Sequence, residues 1–303
     1  MHFIFCASPL DKTKPDEEYR AELSAARQRG ETVSLIDFEA LAREGDADKA
    51  LVNLTEPRSG GEMGIYRGWM LSPARYKLLY SALQRRGIEL INDPVSYRQC
   101  HYLPDWVELF EGRTPKSVWI ESDKLSSNLL ESVMEKLKSF GSKPVILKDF
   151  VKSEKDHWQE ACFIPDASDR EAVQRVVTRF LELRGDALEG GLVFREYVDL
   201  KPLGQRSKSD MLLTREYRLF VFAGKIVYWT PYWEEGDYGD GEPPLGVFAP
   251  LARKPESNFF SMDVAQTKAD QWVIVELGDG QVSGLPDDSS VDDFYTSLCR
   301  SGI

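Results

Sequence analysis

Phe259-Phe260-Ser261-Met262-Asp263-Val264-Ala265 and Gln271-Trp272-Val273-Ile274-Val275-Glu276-Leu277-Gly278-Asp279-Gly280-Gln281 are two apolar runs separated by a short polar turn. Their aromatic and β-branched content reads as a pair of antiparallel strands. Each run holds a carboxylate among apolar neighbours, and a charge turned toward a core must be paired or bind something charged. If the two-residue turn Ala269-Asp270 joins the strands, Lys268 faces Gln271 and Asp263 faces Glu276. Directly opposed Cβ atoms lie about 4.5–5.5 Å apart. Two carboxylates that close repel unless a cation lies between them. Hard oxygen ligands of this kind suit Mg²⁺, which uses one or two carboxylates together with substrate phosphates.

Working outward, more charges interrupt apolar strands. Lys148 ends Pro144-Val145-Ile146-Leu147-Lys148, and Arg195 and Glu196 break Leu192-Val193-Phe194-Arg195-Glu196-Tyr197-Val198. Glu216 and Arg218 share one face of the strand 215–222, which a tight Ala223-Gly224 turn joins to the strand 225–231. Lys148, Arg195 and Arg218 can clamp phosphate oxygens while a metal bridges those oxygens to Asp263 and Glu276. Singly, each charge reads equally well as a half-exposed ion pair on a sheet edge. Together, in the second half of the chain, they favour a phosphate-and-magnesium site.

The first third has a different rhythm. Strands at 2–7, 32–36 and 88–91 alternate with helices near 16–29 and from Pro73 to about 86, the second capped by Ser72. Strand, helix, strand argues for a parallel sheet with helices on its faces, which binds ligands beyond the strand C-termini. Asp37 and the Asn92-Asp93-Pro94 turn lie at such ends, although both also read as helix caps. Past Gly112-Arg113-Thr114-Pro115 the pattern changes to a strand at 117–120, a helix at 125–140 and a helix to about 184 opened by the capping box Ser168-Asp169-Arg170-Glu171. Longer strands then follow, and a helix at 291–299 comes last.

Composition narrows the function classes. A chain of 303 residues implies two or three domains. With 50 acidic against 38 basic residues and a net charge of −12, nucleic acid is not an expected partner. Cys6, Cys100, Cys162 and Cys299 stand far apart, and His2, His101 and His157 lack zinc-site spacing, so neither a disulfide framework nor a zinc cluster is expected. The apolar run after Met1 is too short for a signal peptide, and no stretch approaches a membrane span, so a cytoplasmic protein with no membrane partner is expected. No GxxxxGK[ST], GxGxxG or GxSxG motif is present, and three histidines give no support for a covalent nucleophile. Cys100-His101 is discounted as a nucleophile pair because chain neighbours rarely face each other. Trp229, Tyr232 and Trp233 read as sheet packing rather than a stacking platform.

The strand ending in Lys148, the Arg195-Glu196-Tyr197-Val198 segment, Glu216-Tyr217-Arg218, and Asp263 followed by Glu276-Leu277-Gly278-Asp279-Gly280-Gln281 resemble the ATP-grasp superfamily. Within it they are most similar to the clade named for two arginines and one lysine. Tyr66-Arg67-Gly68-Trp69-Met70 and Gly112-Arg113-Thr114-Pro115 extend the resemblance over the preceding domain. It implies an α/β (α+β) protein: a Rossmann-like pre-ATP-grasp domain at 1–115, then an ATP-grasp domain at 116–303. That domain would divide into lobes at 116–191 and 192–303, with ATP held between them. By the resemblance, Lys148 contacts ATP phosphates, and Glu196, Tyr197 and Val198 form the adenine hinge. Arg195 and Arg218 act on phosphate or acyl phosphate, Glu216 matches an acidic position, and Asp263 and Glu276 hold Mg²⁺, with Asp279 as a third metal-site residue where many relatives carry a metal-binding Asn. One departure stands out. Family members follow the strand lysine with a glycine-rich loop, whereas Asp149-Phe150-Val151-Lys152-Ser153 follows here. Lys152 and Ser153 are candidates to replace backbone donors by side chains. The basic stretch 201–208 reads as a solvated connector more than as a lid.

The implied activity is an ATP- and Mg²⁺-dependent carboxylate–amine ligase. ATP would phosphorylate a carboxylate, an amine would displace phosphate from the acyl phosphate, and ADP and phosphate would leave. Such chemistry asks for positioning and charge neutralisation, not a protein nucleophile. The expected partners are ATP and a small-molecule, peptide or protein-tail substrate. Two other activities remain open: a non-catalytic ATP-binding assembly factor, and a small-molecule kinase on the same fold.

Overall fold

A computed structural model describes residues 1–124, 128–205, 212–286 and 289–301. The start of the helix expected at 125 and residues 206–208 of the basic stretch lie outside them. The chain divides into one unit of residues 1–100, 203–264 and 277–303 and a second of residues 101–202 and 265–276.

The first unit begins with a parallel sheet. Strands β1 (His2–Cys6), β2 (Thr32–Ile36), β3 (Glu62–Arg67) and β4 (Ile88–Leu90) lie in the order β2-β1-β3-β4. The expected strands and their parallel sense are present, with β3 added between two of them. Glu62, Gly64 and Arg67 disguise β3 in the sequence, because a buried strand is expected to be apolar throughout. The structure compensates Arg67 with buried partners. Its Nε and Nη2 donate to both Glu22 carboxylate oxygens at 2.8 and 2.9 Å, and Nη1 donates to the carbonyls of Gly280 and Ser283. Tyr295 donates its hydroxyl to the same Glu22.

Helices flank this sheet as expected. Pro73–Gln84 starts after Ser72, whose side chain accepts from the Arg75 amide, and Arg20–Gln28 ends before Gly30 at φ 76°. The helix Val291–Ser301 joins the same hydrophobic core, in which Phe3, Leu23, Leu83, Phe220, Phe259 and Phe294 are fully or nearly fully buried. Burial of that apolar surface is the main favourable term holding this unit together.

The second unit is built on β5 (Ser117–Glu121), β6 (Val145–Asp149), β7 (Phe163–Ile164) and β8 (Gly191–Glu196) in the order β5-β8-β6-β7. β8 runs antiparallel to both β5 and β6. The helices Leu129–Leu137 and Arg170–Arg184 supply Val133, Leu137, Val173, Val176 and Phe180 to its core. The second helix is capped by Asp169, which accepts from the Glu171 and Ala172 amides, and not by Ser168. Ser168 instead donates its hydroxyl to Asp166. At the start of β8, Gly191 has φ 148°, and a Cβ there would lie 2.1 Å from the carbonyl oxygen of Ile120. Only glycine permits β5 and β8 to approach so closely.

Beyond β8 come β9 (Pro202–Gln205), β10 (Leu212–Thr214), β11 (Glu216–Phe222), β12 (Lys225–Pro231), β13 (Phe259–Gln266) and β14 (Trp272–Asp279). β9 pairs with β10, and the remaining strands lie in the order β12-β11-β13-β14. β11 and β12 are antiparallel, with Phe222 opposite Lys225, so Ala223-Gly224 is the expected two-residue turn, and both residues have positive φ. The turn after β13 differs from expectation. Thr267 donates its amide to the Gln271 carbonyl at 2.7 Å, and the Asp270 amide donates to Thr267, with Asp270 at φ 58°. The loop is therefore Lys268-Ala269-Asp270, one residue longer than expected, with Thr267 facing Gln271. A two-residue hairpin turn favours residues that tolerate positive φ, and Ala-Asp is a poor pair for it. At the other end of the two strands the Gly280 amide donates to the Phe259 carbonyl at 3.0 Å, which is the register expected from the sequence. Among the described residues no helix is long and apolar enough to cross a membrane.

Candidate active site

In the second unit, Lys148 and Arg195 gather around Glu276. Lys148 leaves β6 with its Nζ 2.9 Å from Glu276 Oε1, its side chain 13% exposed against 38% for the carboxylate. Burial opposes the charge of Glu276, but Lys148, Lys155 and Arg195 more than offset it, and its carboxyl is brought down to about 2. Arg195, on β8, is 5% exposed. It donates to the carbonyls of Val275 and Ile274, the residues just before Glu276, and to Thr114 Oγ1. Thr114 in turn donates to the Ile274 carbonyl at 2.9 Å, and the Ile274 amide donates to the Arg113 carbonyl. Burial lowers the Arg195 pKa to about 10, still far above neutrality. Its guanidinium also lies 5.6 Å from the centre of the Trp106 ring. Arg195 therefore ties β8 to the strand segment that carries Glu276, and Gly112-Arg113-Thr114-Pro115 belongs to this cluster.

Two features of this cluster were not legible in the sequence. His101 is buried, and burial with the nearby charges of Lys152 and Lys148 brings its pKa down to about 4, so its ring is neutral at pH 7. Lys155, three residues past Lys152, bears on the charge of Glu276. Neither residue lies in a motif, and only the tertiary fold brings them here. The expected hinge is partly used by the sheet. The Glu196 amide donates to the Lys116 carbonyl and the Tyr197 amide to the Pro144 carbonyl. Lys143 pairs with the Glu196 carboxylate at 2.6 Å, and the Tyr197 ring packs edge-on against Phe163.

In the first unit, Arg218 on β11 holds Asp263 on β13 in a bidentate pair, Nε and Nη2 each 2.8 Å from a carboxylate oxygen. Its Nη1 donates to the Gly284 carbonyl, and its guanidinium lies 5.0 Å from the centre of the Tyr232 ring. Tyr232, which reads in the sequence as packing, thus faces the candidate arginine. Glu216 is 8% exposed and accepts from the Thr214 hydroxyl. Among the described residues no group of three or more His, Cys, Asp or Glu side chains has metal-site spacing.

Asp279 stands apart from the others. It is fully buried, accepts from Asn92 Nδ2 at 2.6 Å, and accepts from the backbone and side chain of Gln281. Asn92 uses both ends of its amide, donating also to the Phe259 carbonyl and accepting from the Asn258 and Phe259 amides. Desolvation raises the Asp279 carboxyl to about 7, against the hydrogen bonds that favour its charge. The native state therefore holds a proton that an unfolded aspartate, with a pKa near 3.9, has already lost. That stabilisation is complete below pH 4 and fades as pH rises through 7. Asp279→Asn removes it but turns an amide N–H toward Asn92 Nδ2, so the variant is less stable at pH 5. The stability gap between wild type and variant narrows at pH 8, and urea midpoints at the two pH values measure it.

Residues 139–298, just over half of the chain, match the family described as the ATP-grasp domain of the two-arginine, one-lysine clade, family 3. The chain belongs to this family. The expected ATP-grasp fold is also borne out by solved structures. The crystal structure of the RimK domain protein ATP-grasp from Sphaerobacter thermophilus DSM 20745 has a TM-score of 0.62 and 14% identity, over 99% of this chain and 98% of that one. D-cycloserine synthetase DcsG follows at 0.59 and 13%, over 99% of both chains. The ATP-grasp ligase PsnB, complexed with minimal precursor, Mg and ADP, gives 0.56 and 14%, over 99% of this chain and 97% of that one. At such identities the likeness carries the fold alone. No curated protein matches this ATP-grasp chain in sequence.

Proposed function

We propose that this ATP-grasp protein is an ATP- and Mg²⁺-dependent carboxylate–amine ligase that works through an acyl phosphate and releases ADP and phosphate. The observation that carries this reading is the Lys148–Glu276 pair, braced by Arg195, in a member of the ATP-grasp family. The solved structures of this fold include a D-cycloserine synthetase, and the ligase PsnB both with a minimal precursor, Mg and ADP and with a precursor peptide and AMPPNP. The substrate classes proposed here are accordingly amino acids, peptides or a protein tail.

Lys148 takes a phosphate oxygen of ATP, and Arg218 neutralises charge on phosphate or acyl phosphate oxygens. Arg195 acts from behind, holding the carbonyls before Glu276 so that its carboxylate stays placed. Glu196, Tyr197 and Val198 receive the adenine, and Glu216 supports the strand that carries Arg218. Asp263 and Glu276 would hold Mg²⁺ by the chemistry of their donors, two hard carboxylates, with Arg218 yielding the two Asp263 oxygens and Lys148 the Glu276 Oε1 that they contact in this structure. When bound, the metal would neutralise phosphate charge. Asp279 does not fit a metal, because it is fully buried, burial favours its neutral form, and Asn92 and Gln281 occupy its oxygens, so no step runs through it. A neutral His101 adds no charge that would compete for phosphate.

Thermal stability with and without Mg²⁺-ATP tests the reading. ATP at about 100 times its Kd is expected to stabilise the fold by roughly 2.7 kcal/mol. Hydroxylamine added to ATP and a carboxylate pool is expected to yield hydroxamate. No shift at saturating ATP would overturn the nucleotide site. A shift with sustained ADP release but a stable phosphorylated product would favour a kinase.

A further inference from the structure

The strand order β2-β1-β3-β4 sends the chain leaving β1 to one side of the parallel sheet and the chain leaving β3 to the other. The switch point lies between these two strands, and sheets of this kind bind ligands there, beyond the strand carboxyl ends. The segments that leave β1 and β3 meet at this place. Trp69, two residues past β3, donates its indole Nε1–H to Asp16 Oδ2 at 3.2 Å. The Asp16 amide donates to the carbonyl of Cys6, the last residue of β1, and Ala7 bridges to Pro15 so that the loop between them is closed.

Trp69 is 42% exposed, yet it is firmly held. Its carbonyl accepts the Tyr66 hydroxyl at 2.7 Å, and Tyr19 packs edge-on against its ring, 5.5 Å between centres. Gly68 lies so close to the Tyr66 ring that a Cβ there would come within 2.5 Å of it. A large ring left in water forgoes the gain of burial, but a ring already fixed loses little further freedom when a ligand packs on it. The charge beside it is also uncompensated. Lys12 pairs with Asp37 at 2.8 Å, Lys14 with Asp11 at 3.1 Å and Arg20 with Glu17 at 3.5 Å. Among the described residues Asp16 has no ion pair, and its donors are neutral: the Trp69 indole and the Glu18 amide, each at 3.2 Å. A carboxylate without a cation, next to a half-exposed indole, is complementary to an ammonium group.

We propose that Asp16 and Trp69 bind the ammonium group of the amine substrate, Asp16 through its carboxylate and Trp69 through the face of its ring. The proposal rests on the ligase reading above and gives its acceptor a place and a charge. The same stretch of chain supports this site and Arg218. The Gly68 amide donates to the Gln281 carbonyl at 3.3 Å, and Gly284, three residues further on, accepts from Arg218. Tyr66 and Gly68 are positioning residues, because they hold the backbone that presents Trp69.

The probes are benzylamine and benzyl alcohol, which share a ring and differ in charge at neutral pH. Each is titrated into the full chain carrying isotopically labelled tryptophan, with the Trp69 indole resonance assigned through Trp69→Phe. Benzylammonium should move that resonance saturably, and benzyl alcohol should bind about tenfold more weakly or worse, because it cannot make the charged contact. Asp16→Asn should weaken benzylammonium by the same factor of about ten. Asparagine keeps an oxygen for the Trp69 and Glu18 donors, so this variant folds and removes only the charge. Trp69→Leu, read by calorimetry, should weaken benzylammonium by about threefold or more. Equal affinity for amine and alcohol overturns the proposal, as does an Asp16→Asn variant that binds benzylammonium as wild type does, or a Trp69 resonance that neither compound moves. AMPPNP binding with Mg²⁺ is measured on wild type alongside. If AMPPNP binds and benzylammonium does not, the acceptor site falls and the nucleotide reading stands. If wild type binds no AMPPNP, the nucleotide reading falls and the proposal falls with it.

Discussion

Replacing Lys148 with alanine is expected to lower ATP turnover by about 10²–10³-fold, the effect of removing one preorganised group that meets developing charge. Turnover is read as ADP release or as hydroxylamine-trapped acyl phosphate. The fold should survive the change. Lys148 is held by one ion pair with a carboxylate that is itself 38% exposed, and Lys155 and Arg195 still compensate Glu276 when the ammonium is gone. A companion variant, Asp263→Asn with Glu276→Gln, should abolish the response of turnover to Mg²⁺ concentration. Turnover in Lys148→Ala equal to wild type would overturn the assignment of that lysine, and an unchanged magnesium response would overturn the carboxylate pair.

Arg67→Ala is expected to destabilise the first unit by about 3–5 kcal/mol, the cost of breaking a buried pair by removing one partner. Arg67 and Glu22 side chains are 1% and 7% exposed, so water cannot take over. The deletion strands the Glu22 carboxylate, whose remaining partner is the Tyr295 hydroxyl, and leaves the Gly280 and Ser283 carbonyls without their donor. Denaturant unfolding followed by intrinsic tryptophan fluorescence measures the loss. A change within about 0.5 kcal/mol, the range of ordinary surface substitutions, would refute the account. A double change to apolar residues, Arg67→Met with Glu22→Leu, should recover much of the stability, because it removes both buried charges together.

The second expectation bears on a stretch of chain that Arg218 also contacts. Arg67 donates to carbonyls of the segment 280–283, Asn92 holds Asp279, and Gly284 accepts from Arg218. The parallel sheet of the first unit thus sets the segment against which Arg218 and Asp263 are arranged. In the sequence, Tyr66-Arg67-Gly68-Trp69-Met70 carries a family likeness but does not declare a strand, and Asn92 reads as a turn residue. Their partners lie roughly 170–215 residues further along, a separation no local pattern reports.

The alternation of apolar and polar residues was enough to place most of the sheets, because side-chain period follows directly from backbone geometry. Caps and turns were legible wherever one residue type has one low-energy conformation, as at Ser72-Pro73 and Gly30. They were misread where two residues compete. Asp169 displaced Ser168 as the cap, and Asp270 took a left-handed conformation that lengthened the final turn. The candidate site followed the same division. Charges inside apolar strands marked Lys148, Arg195, Arg218, Asp263 and Glu276 without any structure, since an uncompensated buried charge is too costly to be accidental.

By itself, then, the sequence determined the family, the fold class and the residues that carry charge into the sheets. Only the tertiary structure decided what each charge does. It gave Arg218 to Asp263, Lys148 to Glu276 and Arg195 to the carbonyls before Glu276, and it turned Asp279 into a buried partner of Asn92. The physical reason is that the hydrophobic pattern is a property of each strand, whereas the role of a charge depends on which opposite charge or carbonyl folding brings within about 3 Å of it.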